Sequence, residues 1–174
     1  MTRIYLMGFM GCGKTTLGKK LARRAGLDFY DLDDLIEEKK GLSVPEVFAE
    51  YGESYFRDIE KETLEETESL GNVLIALGGG TPCFSSNMDW IKENGISIYL
   101  KLPEAMLYGR LKMLRKGRPL LEGMDDLALK EYIKEALSRR TPFYDRADYI
   151  INPTKTKEQE IVDLIKAKLN SAQI

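Results

Sequence analysis

Arg3-Ile4-Tyr5-Leu6-Met7-Gly8-Phe9-Met10-Gly11-Cys12-Gly13-Lys14-Thr15 decides how this chain is read, because an apolar run passes directly into a G-x-x-x-x-G-K-T loop. Residues 3–7 read as a buried strand, and residues 16–25 as an amphipathic helix stopped by Gly26. A loop of this kind between strand and helix is built to hold phosphates. Its glycines let the backbone wrap around an anion with N–H groups pointing inward, its lysine reaches the outer phosphates, and the Thr15 hydroxyl suits Mg²⁺. The helix beginning near Lys14 adds the partial positive charge of its N-terminus. The strand–loop–helix setting separates this loop from a glycine-rich turn that only reverses the chain.

Composition narrows the classes further. A chain of 174 residues suffices for one well-buried core and fits a single domain over 1–174. The net charge of −2, with lysine and arginine spread along the chain, gives no electrostatic case for nucleic acid or an anionic membrane as partner. Cys12 and Cys83 are far apart and outside any C-x-x-C pattern, which argues against a disulfide framework or zinc site and for two reduced thiols. Oxidation or alkylation of Cys12, inside the loop, is expected to inhibit binding. Residues 4–12 faintly resemble a signal-peptide core but run into Gly13-Lys14-Thr15 with no cleavage site, and no later run is long enough to span a bilayer. A cytoplasmic protein is expected. Histidine is absent, so proton transfer near neutral pH falls to a carboxylate or to the phosphate itself.

Short strands are expected at 3–7, 28–30, 73–77, 96–100 and 147–151, with amphipathic helical stretches between them. That alternation implies an α/β fold, a parallel sheet with helices on both faces. Ser43-Val44-Pro45-Glu46 reads as a capping box with proline in the first turn. Ser85 is expected to cap the stretch holding Trp90, and Asp125 or Asp126 the run to Arg140. Gly41, Gly71 and Gly95 stand where helices should stop. Two segments fit the alternation poorly. Residues 44–70 are helical twice over and read as an inserted lobe, and residues 114–126 read as a mobile surface loop.

In open α/β sheets ligands sit beyond the carboxyl ends of the strands. After the second strand comes Asp31-Leu32-Asp33-Asp34, where Asp31 and Asp33 share a side if the backbone stays extended. Two carboxylates facing a phosphate loop call for Mg²⁺ or a hydroxylated substrate. Asp33 or Asp34 can also cap the next helix, which leaves Asp31 unexplained. After the third strand, Gly78-Gly79-Gly80-Thr81-Pro82 favours close approach of backbone N–H groups to a ligand. Arg57 with Glu60 reads alone as an ordinary helical pair, and Arg118 and Arg140 alone as surface residues, although guanidinium groups also grip carboxylates and phosphoryl groups.

Together, the loop at 8–15, Asp31-x-Asp33-x-x-Ile36-Glu37, Phe56-Arg57-x-x-Glu60, Gly78-Gly79-Gly80, Arg118-Pro119-Leu120-Leu121 and Arg140-x-Pro142-x-Tyr144 closely resemble the shikimate kinase family. The resemblance implies a three-layer α/β/α fold of the P-loop, nucleoside-monophosphate-kinase type, with a five-stranded parallel sheet in the order 2-3-1-4-5. It implies an acceptor-binding helical insertion at about 32–62 and a lid at about 112–126. The activity implied is ATP-dependent phosphorylation of the shikimate 3-hydroxyl, in a monomer that needs Mg²⁺.

The same resemblance assigns roles. Gly11, Cys12, Gly13, Lys14, Thr15 and Thr16 would hold the ATP phosphates, and Thr15 with Asp31 would hold Mg²⁺. Asp33 would bind and orient the 3-hydroxyl and accept its proton. Arg57 and Arg140 would clamp the acceptor carboxylate, Gly79 and Gly80 would touch its ring, and Glu60 would hold Arg57. Arg118 would arrive on the lid to stabilise the transferred phosphoryl group. Arg110 would stack on adenine, with the turn at Asn152 and Pro153 on the other side of the base. Phosphoryl transfer asks for positioning and charge stabilisation of this kind. A gluconate kinase is the nearest alternative, and the triple glycine, F-R-x-x-E and R-P-L-L count against it. An adenylate kinase would not need the paired aspartates with carboxylate-gripping arginines. A regulatory nucleotide switch lacks its N-K-x-D motif here and has no use for an acceptor site.

Overall fold

Five parallel strands, β1 (Arg3–Met7), β2 (Asp28–Asp31), β3 (Val73–Ala76), β4 (Ile96–Leu100) and β5 (Tyr149–Ile151), form the centre of a computed structural model that describes residues 1–114 and 119–171. Their order is β2-β3-β1-β4-β5. β1 lies in the middle, with Tyr5 opposite Ile75 on one side and Ser97 on the other. Ile4, Tyr5, Leu6 and Met7 are all fully buried, which is why this strand reads as an unbroken apolar run rather than an alternation.

Among the described residues, seven helices cover the two faces: α1 (Lys14–Ala25), α2 (Leu32–Lys40), α3 (Val44–Glu66), α4 (Asn87–Asn94), α5 (Glu104–Leu114), α6 (Asp126–Tyr144) and α7 (Glu158–Ser171). Side chains alternate across a strand with period two, and β1 divides accordingly. Ile4 and Leu6 pack with Leu21, Leu111, Ile133 and Ile161, whereas Tyr5 and Met7 pack with Leu32, Ile36, Ile59 and Ile91. One layer is therefore α1, α5, α6 and α7; the other is α2, α3 and α4.

The expected strands and caps mostly form, with instructive departures. α3 is interrupted at Gly52 (φ 81°, ψ 174°), so residues 44–66 are two helical pieces. Glu46 Oε2 accepts from the Ser43 amide at 2.7 Å, and Asp125 Oδ1 accepts from the Ala128 amide at 2.7 Å. Ser85 does not cap α4: the residue before that helix is Ser86, and its side chain makes no capping bond. Gly71 does not stop a helix either, because a 3₁₀ turn at Thr67–Ser69 already ends in extended Leu70. The segment 114–126 is not surface throughout. Leu121, in a 3₁₀ turn, is fully buried in the cluster with Leu111 and Leu129. No described helix is long and apolar enough to cross a membrane.

Candidate active site

The loop after β1 takes its shape from Gly8, Gly11 and Gly13, whose φ angles of 149°, 77° and 101° suit glycine rather than residues with a Cβ. Cys12 is buried within this loop. The Lys14 ammonium folds back over the loop and donates to the carbonyls of Gly8 (2.8 Å) and Phe9 (3.3 Å). α1 starts at Lys14, as expected, so its N-terminal amides belong to the loop. The loop opens on a cleft of about 600 Å³ lined by Gly11, Gly13, Lys14, Thr15, Thr16, Asp31, Asp33, Gly78, Gly79 and Arg110, among others.

Asp31 and Asp33 reach this cleft by a route the sequence reading did not foresee. The strand ends at Asp31 and the chain turns at once into α2, so the two carboxylates are not on one side of an extended segment. Asp31 is itself the helix cap: its Oδ1 accepts from the Asp33 amide at 3.2 Å. Its other oxygen, Oδ2, accepts from the Thr15 hydroxyl at 2.7 Å. These paired hard oxygens fit a Mg²⁺ ion that takes a few ligands from protein and the rest from phosphate and water. No larger cluster of acidic, cysteine or histidine ligands occurs among the described residues.

Asp33 stands in the first turn of α2 with its carboxyl pushed up to about 6. Burial is the main cause, the charges of Asp31 and Glu60 add to it, and Lys14 opposes it. This is a carboxylate poised to take a proton near neutral pH.

The glycine turn brings the acceptor-side residues together. A Cβ on Gly78 would lie 2.8 Å from Thr81 Oγ1, 3.0 Å from Glu60 Oε1 and 3.2 Å from Asp33 Oδ1. One on Gly79 would lie 3.2 Å from Arg140 Nη1, and one on Gly80 3.2 Å from Arg57 Nη1. Each glycine thus faces a different candidate residue, and side chains there would occupy the space the guanidinium and carboxylate groups use. The Tyr144 hydroxyl, fully buried one helical turn beyond Arg140, donates to the Gly79 carbonyl.

Arg57 is held on three sides. It donates to Glu60 Oε2 at 3.2 Å and to Glu53 Oε1 at 2.9 Å, and its guanidinium lies 3.7 Å from the centre of the Phe84 ring. Glu60 is 1% exposed, and burial raises its pKa against the opposing effects of Thr81, Arg57 and Arg140. The Arg140 guanidinium lies 5.4 Å from the Phe9 ring centre, which links the phosphate loop to the acceptor side.

Two further expected residues lie away from the acceptor cluster, and a third falls outside the described residues. Arg110 lines the cleft, but its Nη1 donates to the carbonyls of Gly11 (3.2 Å) and Cys12 (3.1 Å), so it grips the phosphate loop. Pro153 is not among the residues lining the cleft; its neighbour Asn152 borders a separate depression with Leu102 and Pro103. Arg118, and with it the expected lid contact, lies outside the described residues. The sequence reading missed Glu53, Thr81, Phe84 and Asn87 as supports of the site. Only Thr81 had a signal, its place directly after the three glycines.

The sequence pattern of shikimate kinase matches residues 10–170. The shikimate kinase of Phocaeicola vulgatus is 41% identical over 174 residues, covering 98% of this chain and 99% of that protein. The one from Caldanaerobacter subterraneus is 43% identical over 169 residues, covering 96% of each. Among solved structures, the shikimate kinase from Bacteroides thetaiotaomicron superposes with a TM-score of 0.85 at 39% identity, over 99% of this chain and 98% of that one. The Acinetobacter baumannii shikimate kinase in complex with shikimate gives 0.83 at 32% identity, over 100% and 96%. A gluconokinase from Sinorhizobium meliloti, at 18% identity and a TM-score of 0.55, shares the fold alone.

Proposed function

The chain belongs to the shikimate kinase family, and from that premise we propose how its residues transfer the γ-phosphoryl group of ATP to the 3-hydroxyl of shikimate. The amides of Gly11, Cys12 and Gly13, with Lys14, Thr15 and Thr16, bind the ATP phosphates. Thr15 and Asp31 hold Mg²⁺, which when bound neutralises charge on the β- and γ-phosphates.

On the acceptor side, Arg57 and Arg140 grip the carboxylate, and Gly79 and Gly80 lie against the ring. Asp33 accepts a hydrogen bond from the 3-hydroxyl and aims its oxygen at the γ-phosphorus. As the new O–P bond forms and the bond to the β-phosphate oxygen breaks, the hydroxyl proton passes to Asp33. Its raised pKa suits a base that takes the proton late. Arg118 offsets charge on the transferred group, and Arg110 keeps the loop in shape around the nucleotide. Residues 32–62, which carry Asp33, Arg57 and Glu60, form the acceptor-binding insertion, and residues 112–126 the lid that excludes water. The enzyme acts as a monomer in the cytoplasm, a reading supported by site residues drawn from one chain and by the free thiols of Cys12 and Cys83.

The observation that carries these roles is the meeting at 78–80, where one turn faces Asp33, Arg140 and Arg57 in succession. An ADP-release assay with ATP and Mg²⁺, offering shikimate, gluconate or AMP, tests the reading. Only shikimate is expected to support rapid turnover; comparable rates with gluconate, or none with shikimate, would overturn it.

A further inference from the structure

The Arg57–Glu60 pair does not end at Glu60. The second carboxylate oxygen, Oε1, accepts from the Thr81 hydroxyl at 2.6 Å, and the Thr81 carbonyl accepts from Asn87 Nδ2 at 2.9 Å. Thr81 is fully buried, and Asn87 is 2% exposed. The chain of contacts therefore runs from the start of α4, through the residue after the glycine turn, to the carboxylate beneath Arg57. Neither Thr81 nor Asn87 faces the phosphate loop, and neither lines the cleft. Two polar residues in so dry a place are retained at a cost unless their hydrogen bonds do something specific.

We infer that Thr81, braced by Asn87, is a positioning residue for the acceptor: its hydroxyl fixes the buried Glu60 carboxylate in the orientation that presents Arg57. The inference rests on the assignment of Arg57 to the acceptor carboxylate. A buried carboxylate can keep its charge only with hydrogen bonds and opposite charge around it. Arg57 on its own helix and Arg140 from α6 supply the charge, Asp33 from α2 opposes it, and the Cys83 thiol, pushed up by burial to about 11, stays neutral. Thr81 supplies the hydrogen bond from the turn. Without it, Glu60 both loses its fixed rotamer and becomes easier to protonate, and a neutral Glu60 no longer orders the guanidinium.

Steady-state kinetics of Thr81→Val and Thr81→Ser over pH 6 to 8, with wild type alongside, test this. Thr81→Val is expected to raise the KM for shikimate about tenfold near neutral pH, the scale of one hydrogen bond to a buried charge. The KM for ATP should stay within about twofold, since the lost bond touches no nucleotide-side group. The rise should grow as pH falls, and Thr81→Ser should restore wild-type behaviour. Should Thr81→Val fail to fold, Asn87→Ala keeps the hydroxyl but removes its brace, and about a threefold rise in the same KM is expected, from a neutral hydrogen bond. An unchanged KM for shikimate, or equal losses in both KM values with no dependence on pH, would overturn the inference. Absence of turnover in wild type would instead strike the assignment on which it rests.

Discussion

Thr15 Oγ1 donates to Asp31 Oδ2 at 2.7 Å, tying the first turn of α1 to the cap of α2 and so the phosphate-binding half of the site to the acceptor half. The same carboxylate caps α2 through its other oxygen. Asp31 therefore has one structural oxygen and one available to a metal.

Separating those two duties gives the first prediction. Asparagine caps a helix about as well as aspartate, so Asp31→Asn should unfold at nearly the wild-type temperature. It should nonetheless need about tenfold more Mg²⁺ for half-maximal rate, because a charged oxygen ligand is lost. Asp31→Ala should show the same Mg²⁺ defect and lose about 1 kcal/mol of stability as well. Magnesium titrations of turnover and thermal melts distinguish the two.

Asp33 carries a pH prediction. Its carboxyl, pushed up to about 6 against an ordinary value of 3.8, must be ionised to accept the hydroxyl proton. The maximal rate should fall as pH drops through about 6. The sign for stability is opposite: with the folded pKa above the unfolded one, stability is fully present below about pH 4 and is lost as pH rises through 6. Asp33→Asn should therefore nearly abolish turnover, leave ATP binding intact, and raise the melting temperature at pH 7. A gain of about 2–4 °C is expected for each kcal/mol relieved. Equal loss of turnover and nucleotide binding would make Asp33 a structural residue.

The glycine turn should grade its substitutions. Gly79→Ala meets the far end of a flexible side chain, Arg140 Nη1 at 3.2 Å. It should fold normally and raise the KM for shikimate about tenfold by displacing one charged contact. Gly78→Ala meets Thr81, Glu60 and Asp33 together, at 2.8, 3.0 and 3.2 Å. It should cost about 1–3 kcal/mol of stability through overpacking, read by denaturant unfolding, in addition to impairing activity.

Arg110 separates two ways of serving the nucleotide. Its bonds to the Gly11 and Cys12 carbonyls predict that Arg110→Ala raises the KM for ATP and for GTP by a similar factor. About fivefold is expected for loss of a net 1 kcal/mol. A loss confined to ATP would assign the side chain to the adenine ring instead.

Much of this is legible in the sequence. Gly8, Gly11, Gly13, Lys14 and Thr15 form a site from adjacent residues, so their spacing alone states the chemistry. The five apolar runs gave the strands nearly in place, because a strand covered on both faces must be apolar along its length. What was not legible depended on where the backbone turns and on who meets whom across the fold. Asp31 reads as a residue that capping does not explain, yet it is the cap, because the strand ends at Asp31, two residues short of an extended Asp31-x-Asp33. Ser85 looked like a cap and is not one.

By itself the sequence determined the phosphate loop and the parallel sheet, since those follow from local backbone freedom and hydrophobic period, whereas the acceptor-side arginines, which singly read as surface residues, stood out only through the resemblance of the ordered motifs to a known family. Only the tertiary structure decided how the candidates are held. Arg110 reaches loop carbonyls 98 and 99 residues away, and Thr81 meets a glutamate 21 residues earlier. Hydrogen bonds of this kind have no sequence period, because they arise only when the sheet brings distant strand ends to one edge.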